Sequence, residues 1–440
     1  MEAATRYQIH GLFREWAGQL RRMLRSETGK NMQLVLASQV ISGVFGFALN
    51  LLIIRRLNIK DFGLFALFNS TFMLLGGFLH LGLADTYVRF GSIHRQQPFF
   101  RALQRNALVW ILLASSVLAA GCFFLAPHLV ERIYHRPEAL NIFRMSVLLA
   151  AFNTWALFFL SNFRVNSDYR ALAGMNFIPQ LLRLLTLTGI LFWGVLSLES
   201  TMMTYVCVSF VVVCVCFIYE IRSGIFASAE PLALVPPEIR REVFSYNGWI
   251  FFNIVTFTLI GNIDAQILAY YHANRVVAEF GVTGRLTLPF YLLITAINTT
   301  ILPRMSASHT AKEVKFVLSR LALVLLPTAA FLGLIVVFGV PMILWIAGPK
   351  YAAISTLMKL QLLSVLLIVI WYPLAVILQA MGHARSVALL SLLQLVVDLA
   401  LDFSWIPTGG AEGAVRATLV INLIGLLWVV VAMTREVRRI

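Results

Sequence analysis

Charged side chains are rare inside the long apolar stretches of this sequence, and those that occur there are the first candidates for chemistry. Arg183 lies nine residues into the stretch 174–197, roughly 13 Å along a helix that rises about 1.5 Å per residue, with no acid nearby in sequence. A charge so deep in a bilayer is costly, which makes it a functional candidate. Because a guanidinium can bind a diphosphate through two hydrogen bonds, Arg183 is a candidate contact for an anionic ligand. A pair with a distant helix, or a side chain that reaches back to the membrane surface, is the structural alternative.

Arg285 and Asp264 occupy matching depths in two consecutive apolar stretches, 278–301 and 244–270. Consecutive membrane helices run antiparallel, so the two side chains are predicted to form an ion pair in the outer third of the membrane. Such a pair can simply lock two helices together. The functional alternative is an ion pair that breaks and reforms during transport. Arg285 would then be available to an anionic ligand, and Asp264 could carry a coupling proton or sodium ion.

The last two apolar stretches repeat this arrangement with Asp402 and Arg416. Asp398 precedes Asp402 by one helical turn and lies on the same face. Two nearby carboxylates in a low dielectric favour protonation of one of them, which suits proton coupling. Asp398, Asp402 and Arg416 are therefore candidates for ion coupling or gating, whereas a water-filled outer vestibule would explain both acids equally well.

Arg89 lies one turn after Asp85 near the end of the second apolar stretch. It is a candidate contact for an anionic headgroup at the entrance to a binding site. An intrahelical pair between Asp85 and Arg89 at the membrane surface is the alternative interpretation.

Motifs of soluble catalysis do not occur in the sequence. There is no Walker loop, no H-E-x-x-H and no G-x-S-x-G, so neither direct use of ATP nor these hydrolytic chemistries is expected. The four cysteines lie inside apolar runs and are interpreted as small core residues rather than a disulfide or metal framework. No cofactor is predicted beyond coupling to H⁺ or Na⁺.

The elements that position these residues are membrane helices, because 60% of the 440 residues are hydrophobic and only 12% are charged. An average soluble domain is about 25% charged, and a spanning helix needs roughly 20 mainly apolar residues. Twelve stretches of this kind are predicted, with most connections short. They are 32–54, 62–86, 105–127, 141–163, 174–197, 201–219, 244–270, 278–301, 317–340, 354–380, 383–405 and 412–433.

The net charge of +15 sets the orientation of these helices rather than indicating nucleic-acid binding. Basic residues collect on one side, which the positive-inside rule assigns to the cytoplasm together with both chain ends. They lie in the first 30 residues, in 89–105, in 304–320 and in 435–440. The basic turn from Arg55 to Lys60 is an exception on the predicted outer side.

Residues 1–30 lack the continuous apolar core of a cleavable signal peptide. They are predicted to form a basic amphipathic helix on the anionic inner leaflet, or a basic tail that only enforces topology.

Two halves of six helices are predicted, residues 31–221 and 244–434, with a proline-marked cytoplasmic linker at 222–243 and a basic tail at 435–440. The triplets Asp61-Phe62-Gly63 and Glu279-Phe280-Gly281 occupy equivalent places in the two halves. Six helices per half give both halves the same orientation, which implies a pseudo-two-fold axis along the membrane normal and a cavity between two lobes.

Five short motifs carry a family resemblance through their order and spacing from about residue 30 to 433. They are the segment 51–67, Leu81-Gly82-Leu83-Ala84-Asp85, Ile263-Asp264, Leu302-Pro303-Arg304-Met305, and Ile406-Pro407 followed by 410–418. Together they resemble Wzx-type polysaccharide flippases of the multidrug/oligosaccharidyl-lipid/polysaccharide (MOP) exporter superfamily. The resemblance implies an all-α, twelve-helix, two-lobed membrane fold that moves undecaprenyl-diphosphate-linked oligosaccharides across a bacterial inner membrane. It also implies a polysaccharide polymerase and a chain-length regulator as partners.

The sequence departs from this family at Asp398 and Asp402, where asparagine or apolar residues are more usual, and at Arg416, which replaces a small residue. Three alternatives stay open. The first two are a multidrug exporter, which usually needs a buried acid in its first lobe, and a lipid II flippase, which typically has fourteen helices. The third is a membrane glycan polymerase or glycosyltransferase, which tends to carry a large charged loop.

Overall fold

A computed structural model describes residues 27–134, 137–194, 196–222, 235–291, 294, 311–381 and 383–439. In these ranges the chain forms helices and turns, and no strand. The first half consists of α1 (Glu27–Arg56), α2 (Ile59–Leu79), α3 (Leu83–Ile93), α4 (Phe100–Ile133), α5 (Ala139–Val165), α6 (Tyr169–Phe192) and α7 (Leu198–Arg222). The second half consists of α8 (Pro237–Tyr271), α9 (Asn274–Leu286), α10 (Ala311–Leu334), α11 (Val340–Ala347), α12 (Ser355–Ala380) and α13 (Ala384–Arg439). A π-helical turn (Ile335–Gly339) joins α10 to α11, and a 3₁₀ turn (Pro349–Ile354) precedes α12.

The described residues contain ten helical stretches that are long and apolar enough to cross a membrane. One of them, Arg385–Glu436, has 52 residues, so at 1.5 Å per residue it would be about 78 Å long, far more than a hydrocarbon core of about 30 Å. Gly410 breaks it with φ 54° and ψ −135°, and the chain thus crosses twice. The eighth predicted helix is represented by α9. The all-α membrane fold expected from composition is therefore confirmed.

The second predicted helix, 62–86, differs from the prediction because the chain is interrupted between α2 and α3. Leu81 and Gly82 both adopt positive φ, 51° and 72°. A Cβ on Gly82 would lie 2.9 Å from the backbone nitrogen of Phe251, so close contact with α8 requires glycine there. Three other predictions lie wholly or mainly outside the described residues: the amphipathic segment in 1–26, most of the linker in 223–234, and the motif at 302–305.

Large apolar side chains cover the outside of the helices. Phe124 is 77% exposed and Trp345 is 76% exposed within the protein alone. Contiguous apolar surface of this kind is unusual on a soluble monomer and is the surface that lipid covers.

Helix packing brings the two halves together along α2. In the first half α1 packs on α6, and α5 packs on α2, α4 and α7; in the second half α13 packs on α12 and α8. Between the halves α2 crosses both α8 and α9. An N-cap sets where α2 begins. The Asn58 side chain accepts a hydrogen bond from the Asp61 backbone nitrogen at 2.7 Å.

The two acid-Phe-Gly triplets lie at the crossing of α2 and α9. A Cβ on Gly63 would lie 1.9 Å from the Asn274 carbonyl oxygen, and a Cβ on Gly281 would lie 2.6 Å from the Ala66 Cβ. Each glycine thus allows its own helix to approach the other. The repeated triplet is explained by this reciprocal close approach.

Gly63→Ala is expected to destabilise the protein because the atom it meets is backbone and cannot rotate away. Overpacking of this kind costs about 1–3 kcal/mol, which should appear as a lower thermal unfolding temperature in detergent. Gly76→Ala is the matched control on the same helix, since nothing lies within 4 Å of its Cβ position. That control should be neutral or more stable, and equal stability of the two variants would contradict the close crossing.

Candidate functional site

Arg285 on α9 is buried against α1 and α2. Its Nη1 donates a hydrogen bond to Asn50 Oδ1 at 3.0 Å. Its guanidinium carbon lies 4.4 Å from the centre of the Phe65 ring and 5.3 Å from that of Phe62. Only 8% of the residue is exposed, so it is held by one neutral hydrogen bond and two aromatic faces.

Arg183 on α6 is held in the same manner by α7. Its Nη2 donates to Ser209 Oγ at 2.8 Å, and its guanidinium carbon lies 4.7 Å from the centre of the Tyr205 ring. The residue is 9% exposed, and its Nε is buried without a described hydrogen-bond partner. The side chain has therefore not reached the membrane surface.

The two arginines flank one group of aromatic rings. The Phe65 and Tyr205 rings meet edge to face with their centres 5.5 Å apart, so the order is Arg285, Phe65, Tyr205, Arg183. We call these four residues the arginine–aromatic cluster. Neither arginine forms an ion pair with a described residue. The sequence singled out both arginines, but their proximity depends on contacts among α2, α6, α7 and α9.

The predicted Arg285–Asp264 ion pair is wrong. The two residues have similar depths, but Arg285 faces α1 and α2, whereas Asp264 faces α13. Depth along consecutive helices does not determine which face a side chain occupies.

The predicted Asp402–Arg416 pair is also wrong. Arg416 donates to Glu412 one turn earlier on the same helix at 2.9 Å, and both side chains are about half exposed. Asp402 is fully buried on the other side of the chain bend at Gly410.

Three buried carboxylates instead form an acid cluster of Asp264, Asp398 and Asp402, with an oxygen of each within 4.8 Å of the others. Asp264 Oδ2 accepts a hydrogen bond from Thr418 Oγ1 at 3.2 Å. The other Asp264 oxygen and both oxygens of Asp398 and Asp402 are buried without a described hydrogen-bond donor. Three such carboxylates can all stay ionised only if a cation is bound among them. Without a cation, at least one of them is expected to take up a proton. Their oxygens, with the Thr418 hydroxyl, form a set of donors that suits a hard cation.

Arg89 does not pair with Asp85. Its guanidinium carbon lies 4.3 Å from the centre of the Tyr246 ring on α8, and the side chain is exposed. Asp85 instead lies 3.9 Å from His80 Nε2. Arg89 thus connects α3 to the start of α8 at the membrane surface.

A buried polar network in the first half was missed by sequence reasoning. Asn162 donates to Glu220 at 2.5 Å and accepts from Tyr87 and Gln104, each at 2.7 Å. Glu220 is 2% exposed although it lies near the end of α7. The sixth predicted stretch ended at residue 219, one residue before Glu220, so this acid was not considered as a membrane residue.

The basic turn that broke the positive-inside pattern joins the two halves. Arg55 Nε donates to the Ile346 carbonyl oxygen at 2.7 Å, and Lys350 Nζ donates to the carbonyl oxygens of Arg55 and Leu57. These contacts satisfy carbonyl groups at the end of α1. The turn between α1 and α2 is therefore fastened to the segment between α11 and α12 on the predicted outer side.

The fold is that of MOP-superfamily transporters. A lipid II flippase MurJ structure in an inward closed conformation matches with a TM-score of 0.70 and 15% identity, covering 90% of this chain and 87% of that one. An inward-facing multidrug resistance MATE transporter matches with a TM-score of 0.69 and 14% identity, covering 90% and 96%. An outward-facing MATE structure reaches a TM-score of 0.60 with 14% identity, covering 94% and 98%.

The family follows from the sequence itself. A family model described as polysaccharide biosynthesis protein matches residues 28–309. The chain belongs to this family of polysaccharide biosynthesis proteins, and the resemblance to polysaccharide flippases is confirmed. Among curated proteins no significant sequence match is found. The fold is therefore one that membrane transporters also have, and the family is one of polysaccharide biosynthesis proteins.

Lys350→Met is expected to loosen the outer junction because it removes the donor to both carbonyl groups. The measurement uses a variant without the four natural cysteines that carries Ala347→Cys. Ala347 is fully buried in the intact junction, so this cysteine should react slowly with a membrane-impermeant maleimide. It should react faster when Lys350→Met loosens the junction. Lys359→Met, at an exposed lysine on α12, is the control. Equal labelling in both backgrounds would contradict a junction held by Lys350.

Proposed function

We propose that this protein flips undecaprenyl-diphosphate-linked oligosaccharides from the cytoplasmic to the periplasmic leaflet of the bacterial inner membrane by alternating access. The observation that carries the proposal is the arginine–aromatic cluster, where two buried guanidinium groups have no described carboxylate partner. Buried cations without a counter-ion are strongly unfavourable unless a ligand supplies one. A diphosphate supplies two phosphate groups in the form that arginine binds best. The glycan then occupies the space between the halves while the polyprenyl tail stays in lipid.

The contacts between the halves support an arrangement that is closed on the predicted outer side. The Arg55 and Lys350 contacts close the predicted outer side. The likeness to an inward-facing MATE structure is also greater than that to an outward-facing one. Both chain ends are then cytoplasmic, and a polysaccharide polymerase and a chain-length regulator are the expected partners on the pathway.

We further propose that the acid cluster couples transport to a proton or sodium gradient. Its carboxylates are buried, adjacent and largely without hydrogen-bond donors. Their negative charge therefore has to be neutralised, either by protons on the carboxylates or by a cation bound between them. The cluster lies on α8 and α13, apart from the arginines. Cation and anionic substrate therefore have separate binding groups in one chain.

A multidrug exporter and a lipid II flippase are the main alternatives. Unneutralised arginines are unsuited to a cationic drug. A lipid II flippase shares the diphosphate chemistry, and transport assays with both lipids separate the two flippase functions. A membrane glycan polymerase or glycosyltransferase would extend the glycan, whereas a flippase moves it without covalent change.

Arg183→Ala and Arg285→Ala are each expected to reduce flipping at least tenfold in proteoliposomes containing a lipid-linked oligosaccharide. Lysine at either position should retain part of the activity, since it keeps the charge but loses bidentate binding. Arg170→Ala and Arg275→Ala are matched controls, exposed arginines on the same two helices.

In cells, deletion of the gene should leave lipid-linked repeat units on the cytoplasmic leaflet. Normal surface glycan in a deletion strain without a redundant transporter would refute the proposal.

Asp264→Asn, Asp398→Asn and Asp402→Asn should each abolish stimulation of flipping by an ion gradient, because they remove charge at nearly constant volume. Separate pH and sodium gradients across the proteoliposome identify the ion. Glu412→Gln is the control, because Glu412 is a half-exposed acid on α13 outside the acid cluster, and this variant should behave as the wild type. Undiminished stimulation in all three asparagine variants would show that the acid cluster does not couple transport.

A further inference from the structure

A cavity of about 440 Å³ lies between α3, the start of α4 and the start of α8. It is on the side predicted to face the cytoplasm, and its walls come from both halves of the protein. The wall of the first half includes Leu83, Leu103 and Trp110, and that of the second includes Val243, Phe244 and Phe251. Its volume falls in the range of about 300–1,000 Å³ usual for small-molecule sites.

The mouth of this cavity faces hydrocarbon. Trp110 is 50% exposed and Phe244 is 69% exposed, and both lie in helices that are apolar enough to span the membrane. Most of the cavity wall is apolar, and such a surface offers water few hydrogen bonds. A hydrocarbon chain entering sideways from the bilayer is the ligand that matches its walls.

One basic side chain lines the cavity, and a second lies on the adjoining helix α3. Arg240, in the first turn of α8, lines it and is exposed. Arg89 lies against Tyr246 on the same helix. Each basic residue near an anionic leaflet contributes about 1 kcal/mol to attraction of anionic lipid. The combination of an apolar chamber and a cationic rim matches a lipid with a negatively charged headgroup.

Two polar side chains in the wall, Asn247 and Thr86, bond within the protein. Asn247 donates to the Leu81 carbonyl oxygen and accepts from Thr86 Oγ1, each at 3.0 Å. These bonds join α3 to α8 across the two halves. The cavity therefore exists only while α3 and α8 are held together. A ligand that binds in it stabilises this conformation relative to one in which the two helices separate.

We propose that this cavity binds one acyl chain of an anionic membrane phospholipid, with the phosphate at Arg240, and that the bound lipid stabilises the present arrangement of the halves. A separate lipid is favoured over the polyprenyl substrate because no lining residue belongs to the arginine–aromatic cluster. The proposal does not depend on the transported substrate.

The test uses the purified full-length protein in phosphatidylcholine nanodiscs, with and without phosphatidylglycerol. Phosphatidylglycerol should raise the thermal unfolding temperature and stay bound in native mass spectrometry. Gly248→Leu should remove the effect by filling the cavity, since nothing lies within 4 Å of its Cβ position. Arg240→Gln should lower the preference for phosphatidylglycerol over phosphatidylcholine about fivefold, as expected for the loss of one basic residue.

Two controls on α8 isolate the site. Gly261→Leu is the control for Gly248→Leu, because the Cβ position of Gly261 is equally open but lies outside the cavity. Arg241→Gln is the control for Arg240→Gln, because it removes a neighbouring exposed charge that does not line the cavity. Both should behave as the wild type. Absence of a phosphatidylglycerol effect, or an equal effect in all variants, would overturn the proposal. Displacement of phosphatidylglycerol by a polyprenyl diphosphate, lost in Gly248→Leu, would instead assign the cavity to the substrate.

Discussion

The cost of burying charge in a membrane governs the arrangement of this protein. Arg183 and Arg285 lie in contact with aromatic rings and neutral oxygen atoms, and three aspartates lie together elsewhere. Pairing these opposite charges would be the least costly arrangement within the bilayer. The fold keeps them apart on different helix faces instead. In the proposed function an anion neutralises the first cluster, and protons or a cation neutralise the second.

Helix α2 contacts the surroundings of both clusters. Phe65 on α2 lies under Arg285. Five residues later, Ser70 donates to the Asn262 carbonyl oxygen at 2.9 Å and accepts from Gln266 at 2.8 Å, so its two partners flank Asp264 on α8. The glycine contacts with α9 hold the same helix between the halves. Any movement of α2 relative to the second half thus changes the surroundings of the cations and of the anions together.

The features that could be predicted from the sequence are those that composition and local spacing determine. Lipid requires long apolar helices, so the spans could be identified, and Asp398 and Asp402 share a face because four residues make about one helical turn. The partner of Arg285 could not be predicted, since it depends on helix rotation. The pair of Arg416 with Glu412 follows the i, i+4 spacing, so local sequence could have indicated it, whereas the separation of Arg416 from Asp402 depends on the bend at Gly410. The break at Gly82 depends on the approach of α8, which no local pattern records.

The two halves resemble each other in their glycine contacts but differ in charge. Arg183 lies on the fifth predicted helix, and Asp398 and Asp402 lie on the eleventh, which is the fifth of the second half. The fifth predicted helices of the two halves therefore carry buried charges of opposite sign. A symmetric pair of arginine sites would bind only anions, and a symmetric pair of acid sites only cations. In the proposed function, both halves contribute an arginine to the site for the anionic lipid headgroup, whereas the acid cluster that exchanges a cation belongs to the second half alone, and ligands at both sites can then bias one movement.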